Sequence, residues 1–217
     1  NVYPMPLSQD HKRAYDNDEG PNTGGMGAYT PLPFVTEEDE AFARKYVLEA
    51  VAKGMCQEGL PLTGVLYGGL MKTAQGVKVI EFNARFGDPE TEVVLPLLES
   101  DAYDVFYGIA TGQLAMGYGQ LAWRNEATIG VVLASKGYPG DYAKGAVIEG
   151  VEFFDGPVFH MGTKNENGVL KTNGGRVMMC IATGKDIAEA QAKVYKEIEK
   201  IHCDNLFYRK DIAHWAL

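Results

Sequence analysis

A helix is predicted directly after an irregular, proline-rich opening. Residues 1–34 show no periodic apolar spacing, and several prolines interrupt them. Thr36 then supplies a helix-capping side chain, and Asp39 takes the third helical position as a variant capping box. A glycine at position 59 offers a stop. The residues expected to pack against the rest of the protein recur at helical spacing and are Val47, Val51, Gly54 and Met55.

A hairpin and two further helices are predicted next. The hairpin comprises a strand at 64–73, a turn at 74–76 and a strand at 77–83. A helix follows, with Asp88 as its N-cap and Pro89 at its first position, and Pro96 ends or kinks it. Another helix begins at residues 100–104 and ends near Gly112.

The pattern changes after residue 112. Gly117 and Gly119 lie in a polar stretch that suggests a domain boundary. Short strands separated by glycine turns follow, at 128–134, 146–148, 158–161, 169–172 and 176–182. One helix at about 186–201 closes the region. Strands at this spacing with one helix predict a small α+β domain over residues 113–217.

Composition and charge restrict the class of protein. The 217 residues are 46% hydrophobic and 23% charged, which is typical of a globular protein. The net charge of −9 argues against a nucleic-acid partner. The sequence has no apolar run long enough to span a membrane, and its first residues do not resemble a signal peptide. The spacing of the three cysteines is not that of a metal site. We therefore expect a cytoplasmic setting. The first residue is Asn, which suggests a processed product or part of a longer chain.

The strand at 77–83 carries the residues best suited to chemistry. Because side chains alternate along a strand, one face is predicted to carry Val79, Glu81, Asn83 and Arg85, and the other Ile80, Phe82 and Ala84. The apolar face can pack on a core. Carboxylate and amide oxygens suit Mg²⁺, and a guanidinium beside them can hold an anion. A solvated strand face with incidental polar residues is the alternative.

Several ordered motifs resemble those of phosphoribosylamine–glycine ligases, over essentially the whole chain. The central motif is EFNARFGDPET at residues 81–91. The others are QDHKR at 9–13, GPNTGGMGAY at 20–29, SKGYPGDY at 135–142, TNGGR at 172–176 and YRKD at 208–211. A single E-x-N is a weak signal, whereas this ordered set is specific.

The resemblance implies the second half of an ATP-grasp module at residues 1–112, followed by the C-terminal α+β domain at 113–217. Family members begin with a substrate-binding α/β domain and a smaller subdomain that supplies much of the adenine pocket. Neither is recognisable in this sequence. The resemblance thus implies that the missing N-terminal domains are a partner of this chain. We expect the isolated chain to be inactive and to expose apolar surface.

The resemblance also implies a reaction. ATP would phosphorylate the carboxylate of glycine, and the amine of 5-phosphoribosylamine would attack the glycyl phosphate. The products would be glycinamide ribonucleotide, ADP and phosphate, in de novo purine biosynthesis. Glu81 and Asn83 would bind Mg²⁺ or Mn²⁺ together with the nucleotide. Arg85 would stabilise the acyl phosphate as a catalytic residue.

Further roles fall on the other motifs. In the QDHKR segment, Asp10 and Lys12 would be catalytic, with Lys12 contacting phosphate; His11 has a structural or orienting role rather than that of a base. A substrate-binding role is implied for Asn22, Thr23, Gly24, Gly25, Asp88, Asn173, Gly174 and Arg176. The glycine-rich loop suits close backbone approach to an anion or a closing lid, and TNGGR suits the ribose phosphate. A surface turn and a hairpin turn are the respective alternatives.

Two other functions stay open from sequence. One is another ATP-grasp carboxylate–amine ligase, such as a purine carboxylase. The other is a non-catalytic binding module, which would need neither ATP nor metal.

Overall fold

Residues 1–114 and 121–217 are described by a computed structural model, and they divide into two units that interleave along the sequence. The first unit comprises Asn1–Pro6, Pro33–Gly87 and Leu98–Arg124, and the second comprises Leu7–Leu32, Asp88–Leu97 and Asn125–Leu217. Gly117 and Gly119 lie outside the described residues. The domain boundary at 112/113 stays a prediction.

The first unit contains the predicted capped helix. It runs through α1 (Glu37–Phe42), a π-helical segment (Ala43–Leu48) and α2 (Glu49–Gln57). The capping box is confirmed, because Thr36 Oγ1 accepts from Asp39 N and the Asp39 carboxylate accepts from Thr36 N. Asp39 also accepts a hydrogen bond of 2.6 Å from Lys72 Nζ. That bond, together with those from Thr36, lowers the pKa of Asp39 to about 2. This carboxylate therefore ties the helix start to the hairpin that follows.

The hairpin pairs β5 (Tyr67–Thr73) with β6 (Gly76–Asn83), as the sequence predicts. A bulge lies where Gly69 pairs with Glu81 and Leu70 with Val79, so Ile80 has no partner across the ladder. The expectation that the apolar face packs on a core is wrong: Ile80 is 63% and Phe82 39% exposed. A two-stranded sheet has too little surface to enclose a face by itself.

A second helix of the first unit, α4 (Ala102–Thr111), also agrees with the sequence. Asp101 caps it by accepting from Asp104 N, and Gly112 ends it with φ of 71°, where a side chain would be strained. Across the described residues, no helix is long and apolar enough to cross a membrane.

The second unit is built on an antiparallel sheet with β7 (Ala127–Ser135) at its centre. The strand order is β1-β4-β7-β11-β8, and β12 also pairs with β7. These strands are β1 (Gln9–Asp10), β4 (Gly27–Thr30), β8 (Val158–His160), β11 (Arg176–Gly184) and β12 (Leu206–Phe207). Two small hairpins accompany the sheet: β2 (Arg13–Tyr15) with β3 (Glu19–Asn22), and β9 (Thr163–Glu166) with β10 (Val169–Thr172).

Helices cover both faces of this sheet, which is why every residue of β7 is buried. Ile129, Val131 and Leu133 form a core with the apolar side of α5 (Ile187–Ile198). On the other face, α3 (Glu90–Val94) packs on β4 and β7. A Cβ at Gly130 would come within 3.0 Å of Val93 Cγ1, so glycine permits this close approach.

Most predicted elements of this unit are confirmed and two details are wrong. The strands at 128–134, 158–161, 169–172 and 176–182 and the last helix are present within a residue or a few of their predicted limits. Residues 146–148 form only an isolated β-bridge between Val147 and Lys171. Their backbone is held to β10 by two hydrogen bonds, from Ile148 N to Leu170 O and from Thr172 N to Ala146 O. Asp88 does not cap α3; Pro89 takes the cap position, since the Asp88 carboxylate binds Arg176 instead.

Candidate functional site

The predicted metal ligands of the first unit lie together at the end of β6. Asn83 Nδ2 donates to Glu81 Oε1 at 3.1 Å, so the two side chains share a face as predicted. An asparagine that donates through nitrogen keeps its oxygen as an acceptor. A carboxylate beside an amide oxygen fits a hard divalent cation. The opposite strand leaves room for them, because Gly69 faces the Glu81 side chain.

Arg85 does not continue this row. The strand ends at Asn83, and Arg85 follows it in a bend, where its Nη1 donates to Phe86 O at 2.8 Å. The alternation predicted through Arg85 is therefore wrong, because β-geometry stops two residues earlier. The side chain stays in the first unit together with Glu81 and Asn83.

The second unit brings the QDHKR segment against the glycine-rich loop. His11 N donates to Gly27 O and Met26 N donates to His11 O, which pairs the two segments beyond β1 and β4. Gly25 has φ of 121°, and a Cβ there would lie 2.6 Å from Asp10 Oδ1 and 2.5 Å from Pro89 Cδ. The loop can approach Asp10 and the start of α3 only because residue 25 has no side chain.

Asp10 is a buried acid paired with a lysine. Lys12 Nζ lies beside Asp10 Oδ2 as an ion pair, while neither Asp10 oxygen accepts a directional hydrogen bond within the described part of the chain. Burial raises the pKa of Asp10 to about 7, although Lys12 opposes this; nearby Glu90 raises it further. Partial burial lowers the pKa of Lys12, but the Asp10 carboxylate outweighs it and the net shift is upward.

Arg176 joins the glycine-rich loop to the start of α3. Its Nη1 forms an ion pair of 2.8 Å with Asp88 Oδ1 and donates to Gly24 O at 3.1 Å. On the other side, Gly24 N donates to Tyr138 Oη at 2.9 Å. Thr23 Oγ1 accepts from Gly25 N and donates to Lys12 O, each at 2.9 Å. The structure thus brings Asp10, Lys12, Thr23, Gly24, Gly25, Asp88 and Arg176 into one cluster.

The remaining predicted residues flank this cluster. Asn22 is exposed in β3, where it pairs with Arg13. Asn173 N donates to Gly162 O at 2.8 Å, and Ser135 Oγ donates to Gly174 O at 2.8 Å. These bonds fix the TNGGR turn from which Arg176 extends.

Three residues around this cluster were not predicted as site residues from the sequence. Glu90 is buried near Asp10, Tyr138 holds the glycine-rich loop, and Arg209 is fully buried behind His11. Each stands inside one of the ordered motifs, so the signal was present in the sequence. Tyr138 and Arg209 each contact residues more than a hundred positions away in the sequence. Spacing along the chain does not reveal such contacts.

The cluster offers charges of both signs on rigid backbone. Lys12 and Arg176 can bind a phosphate or carboxylate, whereas Asp10 and Asp88 can accept from an amine or hydroxyl. The amides of Thr23, Gly24 and Gly25 donate within the protein and hold the loop in place beside these charges. Such a set suits a small substrate that carries both an anionic and a cationic group.

Both halves of the chain match models of one family. Residues 1–91 match the ATP-grasp (A) domain of phosphoribosylglycinamide synthetase, and residues 128–215 match the C domain of the same enzyme. Together with the fold, these matches define an ATP-grasp domain followed by a C domain. The chain belongs to the phosphoribosylglycinamide synthetase family.

Individual relatives agree with this family. The chain is 52% identical to phosphoribosylamine–glycine ligase of Halalkalibacterium halodurans and 48% identical to that of Pseudomonas aeruginosa. Both matches extend over all of this chain. It covers 50% and 51% of those proteins. The crystal structure of phosphoribosylamine–glycine ligase from Thermotoga maritima superposes with a TM-score of 0.88 at 36% identity, covering 98% of this chain and 52% of that one. The chain thus spans about half the length of the relatives it matches.

Proposed function

We propose that this chain is the ATP-grasp and C-terminal part of an enzyme that ligates glycine to 5-phosphoribosylamine at the expense of ATP. The γ-phosphoryl group of ATP passes to a glycine carboxylate oxygen. The amine of phosphoribosylamine then attacks the carbonyl carbon, and phosphate leaves with that oxygen. Glycinamide ribonucleotide, ADP and phosphate are the products, in cytoplasmic purine biosynthesis.

In the first unit, Glu81 and Asn83 hold a divalent cation, Mg²⁺ or Mn²⁺. A cation held there would supply positive charge that stabilises the nucleotide phosphates. Arg85 stabilises the anionic acyl phosphate through its guanidinium. The support is the shared face of the two oxygen ligands and the position of Arg85 directly after them.

In the second unit, Lys12 contacts phosphate while Asp10 orients the substrate amine. Arg176, held by Asp88, presents a guanidinium beside residues 22–25 of the glycine-rich loop, and Asn173 and Gly174 shape the turn that supplies it. This set binds the ribose phosphate. The residue roles are our assignment.

One observation carries the proposal. Motifs from both family domains, QDHKR, GPNTGGMG, SKGYPGDY and TNGGR, meet around Asp10, Gly24 and Arg176. A chain whose function used only one of these domains would have no need to bring them together.

An isotope experiment on the full-length parent tests the reaction. With glycine labelled by ¹⁸O in its carboxylate, we expect one labelled oxygen in the phosphate released with glycinamide ribonucleotide. Glu81→Ala should reduce turnover by at least about a hundredfold, as loss of a transition-state charge interaction does. Glu58→Gln, an exposed acid in the same unit, is the matched control and should leave turnover unchanged. Unlabelled phosphate, or full activity of Glu81→Ala, would contradict the proposal.

The isolated 217-residue chain should not turn over, because it spans about half the length of its relatives. Near full-length turnover by this chain would refute that expectation. Substituting other amine or carboxylate substrates in the parent separates the ligase from another ATP-grasp enzyme. Titration of ATP and Mg²⁺ separates it from a docking module, which would bind neither.

A further inference from the structure

A fully buried arginine near the C-terminus joins the chain end to the segment after Lys12. Arg209 Nε and Nη2 donate to the two Asp211 oxygens at 2.7 and 2.8 Å, and Nη1 donates to Asp18 Oδ1 at 2.9 Å. Nη1 also donates to Arg13 O at 3.2 Å. Four hydrogen bonds from the guanidinium thus reach residues in two distant parts of the chain.

Further bonds extend this link in both directions. Trp215 Nε1 donates to Asp18 Oδ2 at 3.1 Å, and Asn17 N donates to Asp211 Oδ2 at 2.8 Å. Closest to the site, His11 Nε2 accepts from Ala213 N at 3.0 Å. We call His11, Asp18, Arg209, Asp211 and Trp215 the Arg209 network.

The network holds His11 neutral in one tautomer. Burial lowers the pKa of His11 to about 4, and the Arg209 charge lowers it further. Because Nε2 accepts from a backbone amide, the proton of the neutral ring sits on Nδ1, which faces Asp18 Oδ1 at 3.6 Å. In this tautomer the only lone pair of the His11 ring is occupied by Ala213 N, so His11 is not free to act as a metal ligand beside Asp18 and His214.

The network rests on a rigid base. Tyr195 of α5 donates from its Oη to Arg209 O at 2.8 Å and accepts from Ile212 N at 3.0 Å. Helix α5 packs on the central strands of the sheet. The position of residues 209–213 is therefore set by the core of the second unit, and His11 is fixed to it from behind.

We propose that Arg209 is a positioning residue, which through its network fixes the backbone of residues 10–12 so that Asp10 and Lys12 meet the substrate in one geometry. The inference rests on the proposed function of that pair. Stability alone does not require this arrangement, since buried ion pairs can often be replaced by apolar residues without loss. A pair that must orient a substrate does require a fixed backbone.

Kinetics of the full-length parent provide the first test. Arg209→Met removes the donors, and Arg209→Lys keeps the charge but loses the fork. We expect Arg209→Met to lower kcat/KM for the ligation by at least about tenfold, and Arg209→Lys to recover part of the loss. Asp186→Ala is the matched control, because it removes the α5 cap without touching the network. It should lower Tm, because a helix cap is lost, and leave kcat/KM unchanged.

Two outcomes would overturn the inference: Arg209→Met with wild-type kinetics, or the same loss of kcat/KM in Arg209→Met and Asp186→Ala at a temperature where both variants are folded. If Arg209→Met does not fold, Trp215→Phe replaces it. Trp215 is 61% exposed, and this change removes only its bond to Asp18. We expect a two- to fivefold loss of kcat/KM at unchanged Tm; wild-type kinetics in this variant would again overturn the inference.

A second test needs no ligase activity and uses this chain alone. Carbon-13 NMR follows the titration of the Asp10 carboxyl in the wild type and in Arg209→Lys. If the network fixes residues 10–12, the variant lets Asp10 reach solvent and its pKa falls from about 7 towards the ordinary value. An unchanged titration would refute the positioning role. This result stands even where the parent fails to ligate glycine, so failure of the proposed function is distinguishable.

Discussion

The ionisation of Asp10 couples the site to stability. In the folded chain the pKa of this carboxyl is about 7, whereas the ordinary value is 3.8. The folded state therefore binds the proton more tightly, and this group's contribution to the free energy of unfolding is greatest below pH 4 and is lost as the pH rises through 7. A carboxylate that is costly to bury is retained where its charge is used.

Replacing Asp10 with asparagine should imitate the protonated form at every pH. We expect Asp10→Asn to raise the free energy of unfolding relative to the wild type by roughly 1–4 kcal/mol at pH 8, and to have little effect near pH 4. Urea denaturation at the two pH values measures the difference. Asp141→Asn, at an exposed aspartate, should show no such pH dependence. An equal effect of Asp10→Asn at both pH values would argue against the buried carboxylate.

Gly25 should tolerate no side chain. Gly25→Ala meets both the strained φ of 121° and atoms of Asp10 and Pro89, so we expect a loss of about 3 kcal/mol or more in the free energy of unfolding. Gly168→Ala is the control, with φ of 85° and open space around the added Cβ; it should cost about 1 kcal/mol. Equal losses in the two variants would show that the close approach has no energetic weight.

For single residues, the sequence indicated which side chains belong to the site better than it indicated what they contact in the folded chain. Asp10, Lys12 and Arg176 could be named from motifs, because their types suit charged substrates. The close approach of Gly25 to Asp10, and the pairing of Asp88 with Arg176, could not be foreseen. Both depend on segments that are distant in sequence and that meet only in the folded sheet.

Among the elements, the helix that begins at α1 has the most fully specified start. Thr36→Ala removes the side chain that accepts from Asp39 N, and we expect a loss of about 1 kcal/mol in the stability of the first unit. Urea denaturation followed by circular dichroism measures it. Glu38→Gln, an exposed neighbour outside the capping box, should have little effect. If both variants behave alike, the capping box does not stabilise the helix.

Elements with strong local signals were predicted from the sequence, including the short strands β8 and β10 between glycine turns, whereas β1 to β4 were not. Helix α4, β7 and β10 agree with their caps, apolar runs and turns. Strands β1 to β4 contain two to four residues each, which is too short to show an alternation, and prolines obscure them. Their pairing is decided by the sheet they join rather than by their own sequence.

The exposed hairpin of the first unit predicts that the whole chain self-associates in solution. Met71, Val79, Ile80 and Phe82 are exposed large apolar side chains on two paired strands. Such a patch favours association and binds hydrophobic dyes. We expect the isolated chain to bind such a dye strongly and to self-associate at high concentration, as sedimentation would report.

Polar substitution should reduce both effects. Met71→Thr with Ile80→Thr keeps β-propensity and removes apolar area, so dye fluorescence should fall by about half or more. Val169→Thr, at an exposed apolar residue outside the hairpin, is the control and should change little. A monodisperse wild-type chain with weak dye binding would contradict the prediction.

The interleaving of the two units also has a consequence for biosynthesis. On the ribosome, the QDHKR segment and β4 emerge early, but β7 and Arg209, which complete their surroundings, are translated after all of the first unit. Until then β4 lacks its pairing partner β7, although β1 can already pair with β4, and long-range pairing of this kind is slow. The residues around Asp10 therefore take up their final arrangement only after Arg209 and its neighbours have been translated. A nascent chain stopped before residue 209 should consequently leave the QDHKR segment sensitive to protease, and a chain extended well beyond that residue should protect it.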